Sequence, residues 1–471
     1  MTYISSTIGI VGAGIAGLTT GYRLMKAGIK SIIFEASGRV GGRILTSKFG
    51  NGQTYELGAE FIDSNQHELI SLINELGLEL INVGSRQDAI NKYLVIDYDL
   101  PGNPLSEYDN VEIFSDYQRI FPLIQKDKLS AWPSDTFDAT NQSVIELDQI
   151  SLGTYVDTIC SSLRLDLDGH KSKLAQVLKV VYATETGIDP YQQSSLNLIL
   201  LMGFGSIYID KLNWFGPSDE TYKIKGGTQQ LTDKLAKILT GSSLCEIKLN
   251  SPISCVSKNN DHYQLIANKQ KYEYVYVIMT IPFQVYDQID YSQAEFPPLR
   301  NYIINNAKLG CCTKFVVQLR NKFWVDNVSI YLTDNEHKNL YIYDASNNSD
   351  FGTAILIFYL GDTAAKTFNI NDKQIIDELL DNLKIIHPNF DPKDIIGMDA
   401  FNWFQYKWCK GAYSIYHIGQ YAFAGKEGRI DAGNCFFIGE NCNLEHQGYM
   451  NGAVITANNV VSYLLYIINL V

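Results

Sequence analysis

Residues 7–11 form a short apolar run that breaks at Gly12, after which apolar positions recur at helical spacing, at Leu18, Tyr22 and Met25, as far as Ala27. A second apolar run at 31–34 ends in Glu35. The change of period predicts strand, helix and strand, a βαβ unit. The middle of the chain is patterned differently. Residues 88–138 mix aromatic, proline and acidic positions without a sustained period, whereas 144–202 return to helical spacing, as at Leu174, Val177, Leu178 and Val181. A mostly helical insertion is expected there. After Tyr222-Lys223-Ile224-Lys225-Gly226-Gly227 a helix is predicted through Ile238, then strands at 253–256, 263–267 and 274–281. Further alternating runs predict strands at 314–319, 340–343 and 353–360. This order fits an α/β nucleotide-binding domain interrupted by a second domain of helices and antiparallel sheet.

Residues 460–471 are apolar apart from Ser462 and Asn469. They fall short of the ~20 residues of a membrane span, so a closing helix packed on the core is expected, with a membrane-surface anchor as the alternative. The full length of 471 residues gives room for more than one domain. Acidic residues outnumber basic ones 51 to 38, a net charge of −13 that argues against a nucleic-acid partner and suits cationic or neutral ligands. The eight cysteines include no CxxC pair, so neither a zinc site nor a redox dithiol is indicated. Reduced thiols and a cytoplasmic location are expected, and the first residues lack the pattern of a secretory signal.

Candidate chemistry begins at Gly12-Ala13-Gly14-Ile15-Ala16-Gly17. A GxGxxG that follows a strand, opens a helix and precedes an acidic residue about 20 positions on is a dinucleotide-binding arrangement. Gly12 makes the tight turn, Gly14 admits a pyrophosphate to the backbone, and Gly17 allows the helix to pack on the strand. The N–H groups at Ile15 and Ala16 face the anion, and Glu35 accepts from a ribose diol. A second glycine pair follows at once, in Ala36-Ser37-Gly38-Arg39-Val40-Gly41-Gly42-Arg43, suggesting an extended dinucleotide.

These segments together resemble the flavin-containing amine oxidases, the superfamily of monoamine, polyamine and L-amino-acid oxidases. The resemblance runs through Glu35-Ala36, Arg39 to Arg43, Leu57-Gly58-Ala59-Glu60-Phe61, Lys225-Gly226-Gly227, Pro252-Ile253, Phe436 to Glu440 and Gly448 to Ala453, almost the whole chain. It implies a Rossmann-like FAD-binding domain built from residues 1–84, 222–298 and 400–471, and a substrate-binding domain from 85–221 and 299–399. FAD contacts are implied at Gly12, Gly14, Ile15, Ala16, Gly17, Glu35, Ala36, Ser37, Gly41, Gly42, Arg43, Gly58, Ala59, Glu60, Phe61, Ile253, Trp403, Gly439, Glu440, Tyr449, Met450 and Ala453. Glu440 is expected on the ribityl chain and the Met450 backbone on the flavin pyrimidine. Ser37 stands where many relatives have arginine. Ala412 stands where the mitochondrial monoamine oxidases carry the flavin-linked cysteine, so FAD is expected to be non-covalent.

For catalysis the resemblance implies Lys314 holding a water against flavin N5, and Tyr413 and Tyr449 flanking the substrate nitrogen. From the segment alone Lys314 also reads as a strand lysine with a solvated head, and a single tyrosine among 30 also reads as packing. Trp403 packs beside the flavin or in the core. Asp63 resembles an acid of the polyamine-oxidase tunnel, or caps a helix starting near Asn65. His446 is a candidate base, although a neutral amine does not require one. The implied reaction takes a hydride from a primary or secondary amine and reduces oxygen to hydrogen peroxide. L-amino-acid oxidation, desaturation and a non-catalytic flavoprotein are the alternatives. Expected partners are a small amine and oxygen, with no nucleic acid and no transmembrane span; a homodimer is compatible with the sequence.

Overall fold

The computed structural model describes residues 7–84, 92–96, 105–134, 137–164, 172–204, 212, 214–324, 330–332, 340–346, 351–421 and 431–470. Residue 85, the expected start of the substrate-binding domain, Asp88 and Val471 lie outside them.

The βαβ unit forms as the pattern predicts, with strand Ile8–Val11, helix Ile15–Lys26 and strand Ser31–Phe34. Its two strands are neighbours in a parallel sheet whose order is Cys435–Phe437, Val277–Met279, Ile8–Val11, Ser31–Phe34, Cys245–Lys248. Three of these five strands come from late in the chain, so one sheet gathers segments that the sequence keeps far apart. The first helix packs on the closing helix Met450–Leu470, and their apolar faces share a core with Ile8, Ile10, Leu231 and Leu235. That closing helix is longer than the apolar run 460–471 suggests, because its first turns carry glycine and asparagine. By length and composition it could cross a membrane, yet 44% of its apolar window is buried in the protein.

A second five-stranded sheet is antiparallel, in the order Ile330–Leu332, Leu340–Asp344, Ala354–Gly361, Cys312–Leu319, Ile395–Asn402. Cys312–Leu319 lies between two partners and is buried along all eight residues. A central strand covered on both faces reads as a continuous apolar run rather than an alternating one, which is why Lys314 stands out within it. The 399/400 division expected between domains falls inside Ile395–Asn402.

Helices fill the insertion, among them Leu152–Ser162, Lys173–Thr186 and Leu196–Gly203. One helix, Asn110–Ala131, lies in the stretch that shows no sustained period. Its buried residues Ile113, Tyr117, Ile120, Phe121 and Ile124 do keep helical spacing. Pro122 and the interleaved aromatics mask it, since proline inside a helix removes a donor and argues for a break. The expected strand 274–281 is two pieces, the end of Gln270–Tyr274 in a three-stranded antiparallel sheet and Val277–Met279 in the parallel one. An unbroken apolar run carries no mark of that bend.

Candidate active site

One continuous cavity joins the two sheets, with about 2170 Å³ of space between its walls, the open mouth included. It is walled by Glu35, Ala36, Ser37 and Ile253, by Gly12, Gly14, Ile15, Ala16, Gly41, Gly42, Arg43 and Gly439, and by Lys314, Tyr413 and Tyr449. Gly58, Ala59, Glu60, Phe61, Asp63, Trp403, Glu440, Met450 and Ala453 complete the expected set. Gly17 does not line it, in keeping with a packing role: a Cβ there would stand 2.0 Å from the Gly12 carbonyl oxygen. His446 does not line it either, so the structure does not bring that candidate base to the cavity.

The glycines are shaped for a dinucleotide. Gly12 has φ +106°, the left-handed region that glycine enters at no steric cost. A Cβ on Gly14 would meet no atom within 4 Å, because that position opens on the cavity. Gly14 also begins the first helix without a side-chain cap, leaving first-turn N–H groups for an anion. The second glycine loop closes over it through a bridge from Gly14 to Gly41. These features fit the phosphates of FAD.

The acidic residues are more engaged than the sequence suggests. Glu35 Oε2 accepts from the Ala13 N–H at 2.8 Å, and Oε1 from the Ser37 N–H and hydroxyl at 2.8 and 2.7 Å. Ser37 thus braces Glu35. Glu440 accepts from Arg43 (2.7 Å), Ser414 (2.8 Å) and the Gly448 N–H (2.8 Å), tying three segments together beside the cavity. Asp63 is not a surface helix cap, and it lines the cavity. It is buried and accepts from Gln66, Ser218 and the N–H groups of Asp219 and Glu220, and the next helix starts only at His67. Burial raises its carboxyl despite those donors.

Lys314 is 6% exposed. Its ammonium donates to the Gly58 carbonyl at 3.0 Å and to Glu60 Oε2 at 2.8 Å. A buried lysine needs such partners to stay charged. Trp403 donates through Nε1 to the Leu57 carbonyl at 2.7 Å, holding the 57–61 segment. The ring of Tyr413 lies directly on Gly448, where a Cβ would come within 2.7 Å of it, so glycine there lets Tyr413 pack on the segment that carries Tyr449, and both tyrosines line the cavity. The phenol of Tyr413 donates to Glu185, through both the main-chain and the carboxylate oxygens. Burial, then the Glu185 charge, pushes it well above its ordinary value, so it remains a donor.

Glu185, Glu220, Tyr341, Tyr343 and Tyr359 also line the cavity and were not legible as site residues. Glu185 carries a signal in retrospect, as a lone carboxylate in the buried last turns of Lys173–Thr186. Tyr359 is the register partner of Lys314, knowable only once the strands are paired.

The sequence pattern that defines the flavin containing amine oxidoreductase family matches residues 15–465. The chain belongs to this family. Flavin-containing amine oxidase B of Sus scrofa is 24% identical over 97% of this chain and 85% of its own. A flavin-containing amine oxidase of Oncorhynchus mykiss is 23% identical over 97% and 85%. Among solved structures, putrescine oxidase bound to putrescine superposes with a TM-score of 0.78 at 20% identity, covering 98% of this chain and 99% of that one. Cyclohexylamine oxidase from Brevibacterium oxydans gives 0.79 at 20% identity with the same coverage. The Rossmann-like FAD-binding architecture with a second, antiparallel-sheet domain is therefore that of the flavin-dependent amine oxidases.

Proposed function

We propose that the protein oxidises a primary or secondary amine with non-covalently bound FAD. Bound FAD would accept a hydride from the carbon bearing the neutral amine, giving an imine that hydrolyses to aldehyde or ketone, and pass the electrons to oxygen to form hydrogen peroxide. The observation that carries this reading is that Lys314, Tyr413 and Tyr449 line the same cavity as Gly12, Gly14 and Glu35. A flavin held only as structure needs none of the three.

Tyr413 and Tyr449 present aromatic walls that attract an ammonium during entry and keep the site dry enough to favour the neutral amine. Among the described residues Lys314 donates to two protein oxygens, and its third N–H can hold a water or developing negative charge in the cavity. Ala412 offers no thiol to the cofactor. Glu185, Glu220 and Asp63 line the same cavity, whereas the cations Lys314 and Arg43 are paired with Glu60 and Glu440. That balance favours an amine over an amino acid, whose carboxylate asks for a free cation. Residues 85–221 and 299–399 form the substrate-binding domain in this reading and the remainder the FAD-binding domain, with Tyr413, Tyr449 and Asp63 brought to the substrate from the latter.

The test is the visible spectrum of the flavin-loaded protein under anaerobic conditions as monoamines, diamines, polyamines and L-amino acids are added in turn. Bleaching by an amine class supports the reading and identifies the class. An oxidised flavin that persists with every amine refutes it.

A further inference from the structure

Glu60 does not merely line the cofactor cavity. Its carboxylate sits between two lysines, with Oε2 accepting from Lys314 at 2.8 Å and from the Tyr343 hydroxyl at 2.6 Å, and Oε1 from Lys223 at 2.7 Å. The side chains of Glu60, Lys314 and Lys223 are 4%, 7% and 10% exposed. Burial alone would raise the Glu60 carboxyl, but Lys223 and Lys314 together hold it well below the usual carboxylate range. It is therefore ionised. The Lys223 ammonium also lies over the ring of Phe61, 4.5 Å from its centroid, and Phe61 is one of the residues that line the cavity.

A single glutamate salt-bridged to Lys314 would cancel the positive charge that the lysine brings to the cavity. Two ammoniums sharing one carboxylate leave one net positive charge, and the shared carboxylate fixes where it stands. The neighbouring Glu56 adds only part of a negative charge near neutrality, since burial pushes it up to about 7. We infer that Glu60 and Lys223 are positioning residues for Lys314: Glu60 holds the ammonium in place, and Lys223 restores the charge that Glu60 would otherwise remove, keeping the reduced cofactor and its reaction with oxygen electrostatically favourable. Electrostatic stabilisation of this kind is strong because the groups are fixed in a site withdrawn from water.

The inference rests on the flavin reading of the cavity but not on any amine being a substrate. It is tested by the reduction potential of the bound flavin, measured by slow enzymatic reduction with xanthine and xanthine oxidase against a reference dye, with no amine present. Lys223→Met is expected to shift the potential to more negative values and to slow reoxidation by oxygen about tenfold. Glu60→Gln is expected to shift the potential to more positive values, and the double variant to return close to the original. Lys223→Arg, which keeps the charge, is expected to retain the original potential. Should Lys223→Met fail to fold, the Glu60→Gln shift still decides the matter. Unchanged potentials, or shifts of the same sign in Glu60→Gln and Lys223→Met, would overturn the inference, because a purely structural loss has no reason to reverse sign with charge. Failure of every amine to bleach the flavin would refute the substrate reading and leave these potentials as they are.

Discussion

The hydroxyl of Tyr413 is bonded to Glu185 at the end of the helix Lys173–Thr186, so a side chain from the last fifth of the sequence is held by one from its middle. The pairing fixes the ring by its far end and leaves its face towards the neighbouring Gly448 and Tyr449 segment. Tyr413→Phe is expected to slow flavin reduction by amine about tenfold while FAD stays bound, and Tyr413→Phe with Tyr449→Phe to slow it further. Glu185→Gln, which weakens the same bond, should add little to Tyr413→Phe in a double variant. Stopped-flow reduction under nitrogen reads these effects, and unchanged rates would remove both tyrosines from the substrate end.

Lys314→Met should act on the other half of the cycle. Reoxidation by oxygen is expected to fall about 100-fold, the scale for losing a preorganised charged donor, with a smaller effect on reduction. Mixing the reduced protein with oxygenated buffer measures it, and an unaltered rate would return Lys314 to the role of a buried strand residue.

Gly14 and Gly17, the two glycines that follow the turn at Gly12, should separate binding from folding. A methyl on Gly14 meets no protein atom within 4 Å, so Gly14→Ala is expected to leave the stability of the flavin-free protein unchanged while weakening FAD binding by about tenfold or more, roughly 1.4 kcal/mol. A methyl on Gly17 would lie 2.0 Å from the Gly12 carbonyl oxygen. Gly17→Ala is therefore expected to destabilise the fold itself, by about 3 kcal/mol. Urea unfolding of the flavin-free proteins, paired with flavin titration, distinguishes the two.

Glu56 gives a pH signature. It accepts from the Thr228 N–H at 2.7 Å and the Thr46 hydroxyl at 2.8 Å, yet burial and then the nearby Glu60 charge push its carboxyl from 4.5 up to about 7. The folded protein therefore binds this proton more tightly than the unfolded chain. Its contribution is fully present below about pH 4.5 and is lost as pH rises through about 7, a change of order 3 kcal/mol. Glu56→Gln, which mimics the protonated form, should gain stability relative to the parent between pH 5 and pH 8. A difference that does not vary with pH would show that Glu56 titrates normally.

Ala412 makes the state of the cofactor easy to check. Acid precipitation is expected to release all the FAD into the supernatant, whereas yellow colour retained by the pellet would reveal a covalent bond elsewhere in the site.

The cofactor side was far more legible in the sequence than the substrate side, for a physical reason. Pyrophosphate recognition is carried by backbone N–H groups and by glycines whose spacing is local, so Gly12, Gly14 and Gly41 can be read without knowing any tertiary contact. Substrate contacts come from side chains that meet only through packing. Lys314 and Tyr359 face one another because two antiparallel strands pair in one register, and Lys223 reaches Glu60 across 163 residues. Asp63 was visible as an acid in a suggestive position, but its partners at 218–220 were not, and those partners make it an anchor for that loop. The helix Asn110–Ala131 escaped notice because Pro122 sits inside a pattern that is otherwise helical.

The strand order of the parallel sheet also governs when this protein can fold during its synthesis. Gly9 is in register with Ile32 on one side and Val277 on the other, and Val277 with Cys435, so the strand made first has one neighbour at hand and must wait hundreds of residues for the rest of its sheet. Closing such loops costs entropy before any contact repays it. The helices between residues 110 and 203 share a core whose buried members, apart from Trp214, Tyr416 and Tyr421, all lie between residues 113 and 202, so most of their partners are available sooner. The nascent chain is therefore expected to gather its middle before the parallel sheet is complete, and the flavin cradle to close only once the helix Met450–Leu470 has emerged.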